Sequence, residues 1–503
     1  MAEEAYLPNA ERGNLARMGW DLGPTIATWM RREMPELHAA FAAQDDGHNA
    51  IAQAYHHTIL PLASSRDRLT EIRWGLRDFA LRFGRPATGI WLPETAVDGF
   101  TARLCAAEGV RWTILAPWQS ERPAEPGVLH RDGTDGASLG VVLFDADLSA
   151  SISFNPFETT DADRFARERV LPRLEAAGGP ADRPSPRGSA RAGGSTGRRT
   201  DAGGRAGAAG SGGADGSSSR AGRSSSSGCG PSVGDSKAGG SAPGSDPASD
   251  RVVLIATDGE LYGHHQKFRD LFLARLLGAD EGFVRTTAGA AFDSLGLEGL
   301  PPISIRDQTS WSCNHGVARW AGDCPCVPDG RWKQPLRQAF DRLASAIDVL
   351  TEMRLRPLGL DAWALRDRYV DVVSEFAEPE AWAEIELRRA GGTDRASRTR
   401  GAAGAERRAE VLTVMRAQAS RLSMFASDGW FWDDPRRIET AQVLRFAAHA
   451  ARLTDGLCGS TLERQLVEDL RPMRAPGRGP DGARLYADAL RVVGQEPPAG
   501  VTG

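Results

Sequence analysis

Gly89-Ile90-Trp91-Leu92-Pro93-Glu94 and Val252-Val253-Leu254-Ile255-Ala256-Thr257-Asp258 decide the fold of this chain. Each is a short apolar run with β-branched residues that stops at an acid, and the second leads into a Gly259-Glu260 turn. A run that is apolar on both faces reads as a buried parallel strand, and the acid at its end falls on the rim of an α/β fold. Arg111-Trp-Thr-Ile-Leu-Ala116 and Gly140-Val-Val-Leu-Phe-Asp145 have the same character and alternate with helical spacing. Beyond Gly330 the pattern becomes mainly helical, with Leu336, Phe340, Leu343, Ile347 and Leu350 on one face, followed by residues 411–425 and 440–453. The prediction is a βα barrel followed by a helical domain.

Two rim carboxylates supply the pair that glycosidic bond cleavage uses. One attacks the anomeric carbon or holds its positive charge while the other protonates the departing oxygen. A rim acid also serves to cap a helix or pair with an arginine, and spacing alone does not separate the two roles.

The residues go further than the spacing. Thr88-Gly-Ile-Trp-Leu-Pro-Glu-Thr-Ala-Val-Asp98 and Ala256-Thr-Asp-Gly-Glu-Leu-Tyr-Gly-His-His265 resemble the third and fourth signature regions of the family 57 glycoside hydrolases, which act on α-glucans. The resemblance implies that Glu94, after the Trp-Leu element, is the nucleophile, and that Asp258, opening Asp-x-Glu, is the general acid/base of a retaining double displacement. The candidate substrate contacts are Trp91, Trp118, His57, Glu260, His264 and Trp311, with the resemblance supporting His264 near Asp258. The resemblance runs from about Gly23-Pro24-Thr25, through Ala52-Gln-Ala-Tyr-His-His-Thr-Ile-Leu-Pro-Leu62, to Trp311-Ser-Cys-Asn-His-Gly-Val-Ala-Arg-Trp320. Farther on, Ser427-Asp-Gly-Trp-Phe-Trp-Asp433 and Ile438-Glu-Thr-Ala-Gln-Val-Leu444 resemble a helical domain of unknown function found in one bacterial branch of the superfamily.

Members of that family open with a barrel strand carrying a His-rich segment that ends in a Gln-Pro type motif. No such segment precedes Tyr6-Leu7-Pro8-Asn9. The expectation is therefore an incomplete, seven-stranded TIM-like (β/α) barrel, either because the start is assigned late or because the protein is a degenerate relative. Residues 1–177 form its first part and 251–330 its second, with a helical C-terminal domain over 331–503. Between the barrel parts, residues 178–250 are Gly, Ser, Ala, Arg and Asp with almost no large apolar side chain, and are expected to be a disordered insertion. A second, shorter Gly/Ala/Arg-rich break is expected over 391–406.

A chain of 503 residues has ample volume for a core. Its net charge of −5 offers no basic field for nucleic acid. Met-Ala-Glu-Glu is no export signal, no apolar stretch reaches the length of a membrane span, and six cysteines do not form a secreted framework. The expected setting is the cytoplasm, with an α-glucan or oligosaccharide as partner, no membrane and no cofactor; oligomeric state is left open.

Thirteen Trp against five Tyr favours indole platforms for sugar rings, with Trp118 and Trp311 the preferred contacts, although core packing explains any one Trp as well. His56-His57 and His264-His265 adjoin the matched motifs, but neighbours on a strand point to opposite faces and make poor joint metal ligands. Cys313-x-His315 and Cys324-x-Cys326 place four soft ligands within fourteen positions. Their one-residue gaps differ from the usual zinc spacing, so buried incidental thiols and a loop-bracing Zn²⁺ site both stand. Two rival functions accompany the glycosidase: a non-catalytic glucan-binding scaffold, suggested by the missing strand, and a metal-dependent carbohydrate deacetylase, suggested by the histidine pairs.

Overall fold

Three of the four apolar runs, those over 89–94, 111–116 and 140–145, become neighbours in one sheet. A computed structural model describes residues 1–124, 128–133, 138–178, 232–233, 252–278, 283–390 and 401–495. Its main sheet comprises β1 (Trp20–Asp21), β2 (Ala50–Gln53), β3 (Gly89–Trp91), β4 (Trp112–Leu115), β5 (Leu129–Asp132) and β6 (Leu139–Leu143), in the order β1-β2-β3-β4-β6-β5. The first five in that order run parallel, in register through Ala52↔Ile90, Gly89↔Trp112 and Trp112↔Gly140. Every residue of β2, β3 and β4 is buried, as expected where helices cover both faces. Strand β5 returns antiparallel to β6 and was not foreseen, because Leu-His-Arg-Asp carries no apolar run.

The 252–257 run departs from expectation. Only Ile255–Ala256 is a strand, and it pairs antiparallel with Ser232–Val233, two residues of the Gly/Ser-rich tract, instead of joining the parallel sheet. It lies beside the end of β6 all the same, since Asp145 N–H donates to Leu254 O (2.7 Å) and Ala256 N–H to Ser149 Oγ (3.1 Å). Asp258 thus still follows a buried extended segment, Leu254 to Thr257. Apart from Gly178, at a helix end, and Ser232–Val233, the tract expected to be disordered lies outside the described residues. So do residues 391–400 of the second break, whereas 401–406 begin a helix, Gly401–Ser423. Alanine and arginine there are good helix formers, and composition alone misread them.

From Lys333 onward every described element is helical. The long helix Lys333–Leu355 buries Leu336, Phe340, Leu343 and Ile347 against Trp332, Trp430, Val443 and Leu444. Helix Ser65–Phe83 starts where Ser64 Oγ accepts from Asp67 N–H and stops at Gly84, and it ties the sheet to this helical region. Its Asp67 pairs with Arg366 (2.9 Å) and Arg421 (2.7 Å), and Arg421 also pairs with Asp348 (2.9 Å). Burial opposes the Asp67 charge, but the two guanidinium groups outweigh it and hold the carboxyl below its usual range. No helix among the described residues is long and apolar enough to cross a membrane.

Candidate active site

The ends of β1, β2 and β3 and the turn after Asp258 surround a cavity of about 630 Å³. Glu94 reaches it from a tight turn, Pro93–Thr95, closed by Thr95 N–H to Leu92 O (2.7 Å). The turn sets Glu94 at φ +58° and Thr95 at φ +48°, a left-handed backbone that costs a non-glycine residue on the order of 1 kcal/mol or more. Only 4 % of Glu94 is exposed. Its carbonyl accepts from Trp311 N–H (3.0 Å), and its Oε2 accepts from the Ser312 hydroxyl.

His57 lies on the same wall, with its Nδ1 bonded to Ser427 Oγ (2.6 Å). His56 turns away into the core, where Glu71 holds both its ring (2.8 Å) and its backbone N–H (2.8 Å). Opposite, Glu260 Oε1 accepts from the Tyr6 hydroxyl (2.7 Å), while Oε2 is buried with no hydrogen-bond partner among the described residues. His264 and His265 are exposed at the mouth, and the His264 ring bonds Glu4. Gly263 permits this approach of the N-terminal helices: it has φ +140°, and a Cβ there would lie 2.0 Å from Glu4 O. Asp258 is half-buried immediately before the lining residues Gly259 and Glu260. Burial first, then the negative charges of Glu260, Asp21 and Asp258, push the Tyr6 hydroxyl well above its ordinary range.

Of the expected substrate contacts, Glu260, His57 and His264 share this cavity with Glu94. The three tryptophans do not line it. Trp91 is buried to 1 % exposure and meets Trp311 edge-on at 5.0 Å; Trp311 meets Phe144 at 5.8 Å, and Phe144 meets Trp118 at 6.2 Å. This aromatic arc adjoins Glu94 through Trp311. Trp118 is 39 % exposed and Trp311 partly so, whereas Trp91 packs behind them as core.

The cavity also gathers residues that sequence reasoning missed. Asp21 accepts from Gln53 Nε2 (2.6 Å), and its carboxyl is pushed up to about 7 by burial, with His57 opposing and Glu260 adding. The helical region contributes Asp428, Trp432, Arg437 and Glu439, with the Arg437 guanidinium 4.0 Å from the Trp432 ring centroid and paired to Glu439 (3.0 Å). Asp21 left only a faint trace in the sequence, an acid just before Gly23-Pro24 whose strand is too short to show a period.

Cys313, His315, Cys324 and Cys326 come together, with all four ligand atoms within 4.8 Å of one another. Among the described residues this is the only His/Cys/Asp/Glu group gathered closely enough to hold an ion. The histidine pairs that suggested a deacetylase form no such group: His56 and His57 diverge, and His264 and His265 sit exposed at the mouth.

Comparison with known proteins agrees with this architecture. A family model described as glycosyl hydrolase family 57 matches residues 14–177, and one described as a domain of unknown function (DUF3536) matches 329–492. No curated protein matches the chain. Among solved structures, an exo-type maltose-forming amylase from Pyrococcus sp. ST04 superposes with a TM-score of 0.61 at 13 % identity, covering 96 % of this chain and 79 % of the amylase. A family 57 branching enzyme from Thermococcus kodakaraensis has a TM-score of 0.47 at 13 % identity, covering 99 % of this chain and 90 % of the other. A 4-α-glucanotransferase from Thermococcus litoralis has a TM-score of 0.47 at 12 % identity, covering 94 % and 56 %.

Proposed function

The chain belongs to glycosyl hydrolase family 57, with a DUF3536 domain behind the hydrolase domain, and from that premise we propose that it cleaves or transfers α-glucosyl units with retention of configuration. Glu94 attacks the anomeric carbon while Asp258 protonates the departing glycosidic oxygen, so that a glycosyl-enzyme forms and the leaving sugar takes the proton. Asp258 then takes a proton from water or from an acceptor hydroxyl, whose oxygen displaces Glu94. The observation that carries this reading is the placement of Glu94 on the cavity wall, with its carbonyl and one carboxylate oxygen both engaged by Trp311-Ser312.

Around that carboxylate the sugar finds complementary groups. The unpartnered Oε2 of Glu260 is an acceptor for a hydroxyl, His57 and His264 offer polar ring edges, and Trp118 and Trp311 form a partly exposed aromatic arc outside the cavity, joined to Glu94 through the Trp311 backbone. The same reading takes α-glucans as the partners and a cytoplasmic setting.

The test is incubation of the full chain with amylose and maltoheptaose, with product anomers followed by proton NMR. The expected first product is the α-anomer, and Glu94→Gln is expected to bind maltoheptaose without turning it over. Wild-type rates in Glu94→Gln would sink the assignment. Glucan binding with no turnover in the unmutated chain would replace the enzyme by a glucan-binding scaffold.

A further inference from the structure

Two short turns of one segment carry the four soft ligands. Cys313 and His315 lie on a turn closed by Gly316 N–H to Cys313 O (2.9 Å), and Cys324 and Cys326 on another closed by Val327 N–H to Cys324 O (3.1 Å). Gly316, at φ +63°, is needed for the first, because a Cβ there would lie 1.9 Å from Gln308 O. The short helix Ala318–Ala321 turns the chain between them.

The resulting separations are those of a coordination shell. Cys313 Sγ lies 3.5 Å from Cys324 Sγ and 3.3 Å from Cys326 Sγ, and the His315 Nδ1 lies 3.1, 3.6 and 3.9 Å from the sulfurs of Cys326, Cys324 and Cys313. A disulfide needs about 2.05 Å, so these are reduced thiols. A tetrahedron with metal–sulfur bonds of about 2.3 Å has sulfur–sulfur edges of about 3.8 Å, and slightly shorter sulfur–nitrogen edges, close to the distances found. The His315 backbone N–H points at Cys313 Sγ (3.4 Å), a contact that stabilises a thiolate. Cys313 and Cys324 are buried while His315 and Cys326 are exposed, which leaves the ion a route in from solvent.

We propose that Cys313, His315, Cys324 and Cys326 bind a structural Zn²⁺ that pins the loop carrying Trp311 and Ser312 against Glu94. Three thiolates and an imidazole in tetrahedral array select zinc among the common divalent ions and leave no open position for chemistry. Cys313 directly follows Ser312, so the ion anchors the segment that holds the nucleophile. Zinc binding stands on these four residues alone, and only its effect on turnover rests on the glycosidase reading.

The experiment measures metal in the full chain, purified without a metal-affinity step, by inductively coupled plasma mass spectrometry after desalting. About one zinc per chain is expected. Replacement by Co²⁺ is expected to give the intense visible bands and near-ultraviolet sulfur-to-cobalt charge transfer of tetrahedral thiolate coordination. Cys326→Ser, at an exposed position, is expected to retain the far-ultraviolet circular dichroism of the wild type and to lose most of its zinc, whereas Cys458→Ser, outside the cluster, keeps it. Failure of zinc-supplemented protein to retain metal overturns the proposal. So does stoichiometric iron in place of zinc, or full zinc content in a folded Cys324→Ser/Cys326→Ser variant. If Cys326→Ser fails to fold, the cobalt spectrum of the unmutated chain decides: absence of charge-transfer bands overturns the site.

Discussion

Ser312 and Glu94, 218 positions apart, are joined by a hydrogen bond from the serine hydroxyl to Oε2 of the carboxylate. The preceding residue, Trp311, donates its backbone N–H to the carbonyl of the same glutamate (3.0 Å). One loop therefore fixes both the backbone and the side chain of Glu94. Such holding supports reaction because a nucleophile already oriented needs no ordering at the transition state.

If Glu94 is the nucleophile, Glu94→Gly loses turnover by about 10³-fold or more, and azide partly restores it by filling the vacated space. Glycine is the better choice over alanine, since position 94 has positive φ. The rescued product is expected to be a β-glycosyl azide, inverted relative to the substrate, which mass spectrometry and NMR distinguish. An α-configured azide product would contradict attack from the Glu94 side.

Ser312→Ala removes a hydrogen bond to a charged group, which is typically worth about 1.5–3 kcal/mol. A fall in kcat of at least about tenfold is expected, with a smaller change in KM and an unchanged metal content. Ser312→Thr, which keeps the hydroxyl, is expected to recover much of the loss. Equal losses in both variants point to packing instead of the hydrogen bond.

Asp21 titrates near the middle of the accessible pH range. Its carboxyl is pushed from an ordinary 3.8 up to about 7 by burial and Glu260, against His57. A folded state that holds its proton more tightly than the unfolded chain has that stabilisation in full below about pH 4 and loses it as pH rises to about 7. Relative to Asp21→Asn, the melting temperature of the wild type is thus expected to decline across that window and level off above it. Parallel Tm curves for the two proteins from pH 4 to 8 would remove Asp21 from the account.

Asp67 behaves in the opposite sense. Its carboxyl is held below the ordinary range, because Arg421 and Arg366 outweigh its burial. The stabilisation is present above the ordinary carboxyl value and disappears as pH falls through the lowered one. At pH 7, Asp67→Asn leaves Arg366 and Arg421 buried without this partner, a change that costs about 3–5 kcal/mol. Urea unfolding is expected to show that loss at pH 7 and a smaller difference in strong acid, whereas equal stability at pH 7 would contradict it.

Where sequence and structure agree, the signal was continuous and local. Strands β3, β4 and β6 were legible because their residues are apolar on both faces, and the helix over 333–355 because its buried side chains recur at helical spacing. β1 and the Ile255–Ala256 strand have two residues each, too few for any period, so Asp21 went unread and the 252–257 run was expected to pair in the wrong direction. Glu94 was readable as an acid after an apolar run, but its partner Ser312 was not, since only tertiary folding joins them. The same holds for Tyr6 and Glu260, and for the cavity wall supplied by Asp428, Trp432 and Arg437. In Cys313-x-His315 and Cys324-x-Cys326 the residue types were visible, while the turns that bring the pairs together depend on Gly316 fitting over Gln308.

The left-handed backbone at Glu94 sets fitness for reaction against fitness for folding at a single codon. Glycine at this position relieves on the order of 1 kcal/mol of backbone strain, and forfeits with it the carboxylate that Ser312 holds and that the proposed reaction uses.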